Sequence, residues 1–237
     1  MKRIYILIMF VVLFSSALGL GIVATVDIPL AALSGNYLSN DYPTIIIDAG
    51  HGGEDGGASS KTGVLEKDVN LDICLTLQKL LEQGGFNTEM IRESDVSIHD
   101  ESAATTRERK VSDIHNRVKV ANSKNSNILI SVHQNHFTES KYFGTQVFYS
   151  KNNANSQNLA ENIRVAVTSL LQPENQRKCK PSSNVYLLDN VNVPAVIVEC
   201  GFLSNPYEAD LLSHEDYRDH MAYSIYLGIV EFIYLNY

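Results

Sequence analysis

Three short, nearly uninterrupted apolar runs, at 44–48, 127–133 and 195–200, most restrict what this chain can fold into. They read TIIID, NILISVH and AVIVEC, and β-branched residues dominate them. A strand with one face in water alternates polar and apolar residues. A strand covered on both faces does not, so such runs belong in a parallel sheet enclosed by helices. The intervening segments have helical spacing. Thr105-Thr106-Arg107-Glu108 has the form of a capping box, and Val111, Ile114, Val118 and Ala121 follow it as a stripe. Residues 155–171 predict a second helix. A third begins at Ser213-His214-Glu215-Asp216, with Tyr217, Met221, Ile225, Ile229 and Phe232 on one face.

The segment EKDVNLDICLTLQKLLEQGG fits two periods. Val69, Leu71, Ile73, Leu75 and Leu77 alternate as in a strand, whereas Val69, Ile73, Leu77, Leu80 and Leu81 form a helical stripe. Its length exceeds that of ordinary strands, and Gly84-Gly85 supplies a stop, so it is read as a helix. Residues 86–92 and 184–188 are weaker strand candidates. GTQVFYS, from Gly144, alternates and suits an outer or antiparallel strand. The expected fold is a single α/β domain over 43–237, with a mostly parallel central sheet and helices on both faces.

In open α/β sheets the site lies at the carboxyl ends of the strands. His51 follows the first run, His133 closes the second and Glu199 lies near the end of the third, while Glu66 opens the helix after the first. The loop in IIIDAGHGGEDGGAS sets five glycines around His51. It lacks both the Gly-Lys-Ser/Thr ending of a phosphate loop and the G-x-G-x-x-G spacing. A metal reading fits better. Catalytic zinc takes about three N or O ligands and keeps one position open. His51, Glu66 and His133 supply such a set, with Glu199 poised as a base. Two rival readings use the same stretches. His51-Gly52-Gly53-Glu54 has the H-x-x-E spacing of zinc carboxypeptidases, which would make Glu54 the ligand. Cys200 with His133 would be a cysteine hydrolase, although nothing in the sequence marks that thiol as activated. For His99, His115, His136, His214 and His220 a structural role is the default.

Lys2 and Arg3 precede an apolar stretch over 4–26, which is close to the length that spans a bilayer. Residues 1–26 read equally as a cleaved secretory signal, with Ala17-Leu18-Gly19 as the cleavage site, or as an uncleaved membrane anchor. Either way, the domain beyond the 27–42 tether is exported across the cytoplasmic membrane to the cell envelope. The net charge of −8 argues against nucleic acid as a partner. The three cysteines are too few for a disulfide framework.

Taken together, DAGHGG with Asp55-Gly56-Gly57-Ala58, Gly63 with Glu66-Lys67, Arg117 with Ala121-Asn122, SVHQN at 131–135, and PAVIVECGFLSNPYEADLL from Pro194 resemble the zinc-dependent N-acetylmuramoyl-L-alanine amidases of the Amidase_3 type. The likeness runs through the chain in order from Ile45 to Tyr237. The compact form with this leader looks most like the spore-cortex amidases of endospore-forming bacteria. Ala49 departs from the proline common at that position and removes no ligand. The resemblance implies zinc on His51, Glu66 and His133, with Glu199 as the catalytic carboxylate. It implies peptidoglycan as substrate, cut between N-acetylmuramic acid and L-alanine, in preparation for muramic-δ-lactam formation. Asn135 and Asn205 are candidate substrate contacts. A non-catalytic wall binder of this fold, or an amidase activated by a protein partner, is the alternative.

Overall fold

The computed structural model describes residues 42–237. The expected leader at 1–26 and nearly all of the 27–42 tether lie outside them. No helix among the described residues is long and apolar enough to cross a membrane.

The domain is a six-stranded sheet between two helical layers. In chain order the elements are β1 (Thr44–Ala49), α1 (Glu66–Gln83), β2 (Thr88–Met90), α2 (Thr106–Ala121), β3 (Asn127–Asn135), β4 (Gln146–Tyr149), α3 (Asn155–Leu170), β5 (Lys180–Pro181), α4 (Tyr186–Asn190), β6 (Ala195–Phe202), α5 (Pro206–Ser213) and α6 (Glu215–Asn236). The strand order is β2-β1-β3-β6-β4-β5. β2, β1, β3 and β6 run parallel, and β4 turns antiparallel against β6, as its alternation predicts. The three continuous runs are the three central strands, covered on both sides.

The pleat assigns their side chains. Ile45, Ile47, Ile128, Ile130, Val196 and Val198 pack with α1, α3 and α6, whereas Ile46, Leu129, Ala195 and Ile197 pack toward α2 and α4. On α1, Val69, Ile73, Leu77 and Leu81 are buried, so the helical reading of that ambiguous segment holds. On α6, Met221, Ile225, Ile229 and Phe232 are fully buried. The α2 capping box forms in full: Glu108 N donates to Thr105 Oγ1, and Glu108 takes the Thr105 N–H in return.

Three local expectations change, and one helix appears that was not expected. Residues 184–188 contribute to the short helix α4 rather than a strand, because Leu187 and Leu188 cover the sheet face beside α2. The 86–92 candidate shrinks to the three-residue edge strand β2. On α2, Val111 is exposed, and the buried positions are Arg117 and Ala121. Helix α5, too short to announce itself by periodicity, starts at Pro206 in the favoured first position of a helix.

Candidate metal centre and active site

The glycine-rich loop exists to bring side chains together at close range. A Cβ at Gly50 would collide with the His133 ring, and one at Gly57 would collide with Glu66 and with His51. His51 itself sits in the left-handed region, at φ 63°. That conformation costs a non-glycine residue roughly 1–3 kcal/mol unless its surroundings hold it. They do. Arg117 Nη2 donates to the His51 carbonyl at 2.7 Å, and Arg117 Nη1 donates to the Ala49 carbonyl at 2.9 Å. From the other side, Arg92 Nε donates to the Ala49 carbonyl at 2.8 Å and Nη2 to the Gly50 carbonyl at 3.1 Å. Both arginines are buried. A tight turn from Gly52 to Asp55 then folds the Asp55 carboxylate back onto His51 Nδ1, at 2.8 Å.

Three donors converge above this loop. His51 Nε2 lies 3.1 Å from Glu66 Oε1, and His133 Nδ1 lies 3.0 Å from the same oxygen. The candidate ligand atoms of His51, Glu66 and His133 all fall within 4.8 Å of one another. Glu66 stands at the first position of α1, where the helix macrodipole favours a carboxylate. Its Oε2 accepts the Ala58 N–H at 2.7 Å, and its Oε1 accepts the Gln134 N–H at 3.1 Å. The donor set of two imidazoles and one carboxylate suits zinc. The Asp55 carboxylate accepts from His51 Nδ1–H and so turns Nε2 toward the cluster.

The electrostatics favour a cation here. Burial alone would lower the His51 pKa, but hydrogen bonds to Asp55 and Glu66, and their charges, push it up to about 9. Burial likewise opposes ionisation of Glu66, yet His133 and His51 hold its carboxyl well below the usual range. A pocket that retains a proton so firmly also suits a metal ion in the proton's place.

Glu199 borders the cluster. It is directly opposite His133 in the β3–β6 register and shares its sheet face. Its Oε2 is buried and has no hydrogen-bond partner among the described residues. Burial, helped by the Glu66 charge and opposed by His133, pushes its pKa up to about 7. A carboxyl at that value both takes and returns a proton near neutrality. Alongside lies a cleft of about 190 Å³, bordered by His51, His133, Asp55, Arg109, Lys110 and Ile197.

The structure separates the other candidates. Glu54 is exposed and pairs with Arg109, outside the cluster. Cys200 is fully buried on the opposite sheet face, and burial drives its thiol pKa upward, away from a nucleophilic thiolate. Asn135 ends β3, and its side chain accepts the His136 N–H at 2.9 Å. Asn205 caps α5, accepting from Tyr207 N at 3.0 Å and Glu208 N at 3.3 Å, and donates to the Tyr142 carbonyl. Its side chain is thus engaged in holding two loops. Sequence reasoning misses Asp48, which pairs with Arg117 and accepts from Ser131 Oγ at 2.6 Å beneath the loop. A charged residue ending a buried apolar run is the signal for it.

Residues 45–231 match the family described as N-acetylmuramoyl-L-alanine amidase. The chain belongs to this family. The amidase is 38% identical over 188 residues to the germination-specific N-acetylmuramoyl-L-alanine amidase of Bacillus subtilis strain 168, covering 79% of this chain and 78% of that relative. Among solved structures it resembles the CwlD amidase from Clostridioides difficile in complex with the GerS lipoprotein. That match has a TM-score of 0.79 and 40% identity, over 82% of this chain and all (100%) of the other. An N-acetylmuramoyl-L-alanine amidase from Clostridium difficile 630 matches with a TM-score of 0.71 and 28% identity, over 83% of this chain and 100% of that one. The amidase is therefore a hydrolase of the cell wall, and the fold expected from its sequence is the fold of its relatives.

Proposed function

We propose that the amidase holds one zinc ion through His51 Nε2, Glu66 and His133 Nδ1, and that Glu199 is its catalytic carboxylate. The observation that carries this reading is the convergence of three separated segments on one point, beside a buried carboxylate oxygen without a partner. Bound zinc would polarise the amide carbonyl and lower the pKa of water toward ~7.

The residues of the chain do the rest. Asp55 keeps His51 in the tautomer that faces the cluster. Glu199 takes a proton from the attacking water as its oxygen joins the lactyl carbonyl carbon. The C–N bond then breaks, and Glu199 returns the proton to the departing nitrogen. The products are the muramic acid carboxyl group and a stem peptide with a free L-alanine amine.

In the cell, the substrate on this reading is spore-cortex peptidoglycan, and stem removal frees muramic acid for conversion to the δ-lactam. Export would follow from the 1–26 segment, which would also tether the enzyme to the membrane if left uncleaved. An acidic protein meeting an anionic wall gains little from long-range attraction. A protein partner that assists the amidase, as the complex of its structural relative with a lipoprotein suggests, therefore belongs to the reading.

Glu199→Ala tests the assignment. Zinc should stay at the wild-type level, while stem release from peptidoglycan, followed by mass spectrometry, falls by about 10²–10⁴-fold. Full activity in the variant would end the assignment. Release by wild type only after addition of cell extract would make the partner obligatory.

A further inference from the structure

One buried polar pair takes no part in the chemistry above and lies on the sheet face away from His133 and Glu199. Asn70 is fully buried, and Gln134 is nearly so. Asn70 Nδ2 donates to the Gly50 carbonyl at 3.1 Å, and Asn70 Oδ1 accepts from Gln134 Nε2 at 3.1 Å. Burying two amides among apolar side chains costs stability unless they are paired, and apolar residues of similar shape would fill the space without that demand. The surrounding face is otherwise apolar, from Val132 and Cys200 to Ile73 and Leu77.

The three groups joined by this chain of bonds have one thing in common. Gly50 immediately precedes His51. Gln134 immediately follows His133, and its N–H also binds Glu66 Oε1. Asn70 lies one helical turn after Glu66, on the same side of α1. Each partner therefore belongs to a different ligand-bearing segment, and Asn70 is bonded to both of the others. Its amide is directional, because the donor end must meet a carbonyl and the acceptor end must meet an N–H.

We infer that the Asn70–Gln134 amide pair is a positioning device for the metal centre, setting α1, the His51 loop and the end of β3 at the spacing the three ligands need. The inference rests on the proposed zinc site, and it assigns no contact with substrate to either residue. Outer partners of metal ligands typically account for ~10–100-fold in affinity.

The test compares zinc affinity, by chelator competition, with thermal unfolding of the metal-free protein, using the full chain in mild detergent. Three variants are needed: Asn70→Ala, Gln134→Met and Asn127→Ala. Asn127 is a control, a buried amide at the start of β3 that bonds to the Ala121 carbonyl and to Ser123. All three should unfold at lower temperature than wild type. Only Asn70→Ala and Gln134→Met should lose zinc affinity, by about 10-fold or more at a temperature where every variant is folded. If Asn70→Ala does not fold, Gln134→Met decides the question. Zinc affinity within threefold of wild type in the folded variants would overturn the inference and leave the zinc site standing. Failure of wild type to bind zinc would overturn the site itself.

Discussion

The two faces of the sheet are made by the same three central strands, yet they differ in kind. Toward α1, α3 and α6, the runs stay apolar almost to their ends, with Ala49, Val132 and Cys200 all fully buried. Toward α2 and α4, the apolar positions stop early, and Asp48, Ser131, His133 and Glu199 occupy the strand ends. Each large side chain fully buried on the first face stabilises the fold by about 1.5–3 kcal/mol. The second face gives up part of that gain to desolvated charges, which are held in place by Arg117 and by the glycine loop. The thinner face thus carries the polar cluster of the proposed site, and the thicker one carries most of the apolar core. Asn70 and Gln134 are polar intrusions on the thicker face, bonded to the segments that carry His51, Glu66 and His133.

The division can be broken most severely at Arg117→Met. Asp48 would be left as a buried charge without its partner, which costs about 3–5 kcal/mol. The Ala49 and His51 carbonyls would also lose their donor. Urea unfolding should show the destabilisation, and chelator competition should show weakened zinc binding in the same variant. Intact zinc affinity would mean that the thin face is less coupled to the site than the geometry indicates.

Ile73→Ala is the counterpart on the thick face. Ile73 is fully buried in the large cluster, and its truncation should cost about 2–5 kcal/mol. Zinc affinity of the folded protein should stay unchanged. A parallel loss of zinc would erase the distinction between the faces.

A third expected effect concerns pH. His51 has its pKa raised to about 9 from 6.5, so its proton competes with zinc below that value. Zinc affinity should therefore climb between pH 7 and 9 by up to about tenfold per pH unit, then level off. In the metal-free protein the sign is opposite. The stabilisation from that proton is fully present below pH 6.5 and disappears as pH rises through about 9. Titrations at several pH values, with and without zinc, read both trends, and a flat affinity would contradict the raised pKa.

Much of the fold and site is legible in the sequence, for a physical reason. Two-sided burial leaves an unbroken apolar run, and the residues at the carboxyl end of such a run lie on the rim of the sheet. His51, His133 and Glu199 can therefore be placed together from sequence alone. Glu66 is legible because it opens a helix next to that rim. The misreadings share a cause. Asn184 to Leu188 looks like a strand because short apolar segments carry too few residues to reveal a period. Val111 falls in the α2 stripe because periodicity does not show that a buried arginine, three residues past Ile114, takes the inward position. The Asn70–Gln134 pair is illegible, since its bonds join residues 64 positions apart and depend on three elements at once.

The most direct test is zinc stoichiometry, by elemental analysis, of wild type and of the separate His51→Ala, Glu66→Ala, His133→Ala and Glu54→Ala variants. The expected result is one zinc per chain in wild type and in Glu54→Ala, and a marked loss in each of the other three. Full zinc in any of those three, or its loss in Glu54→Ala, would contradict the assignment of the metal to these ligands.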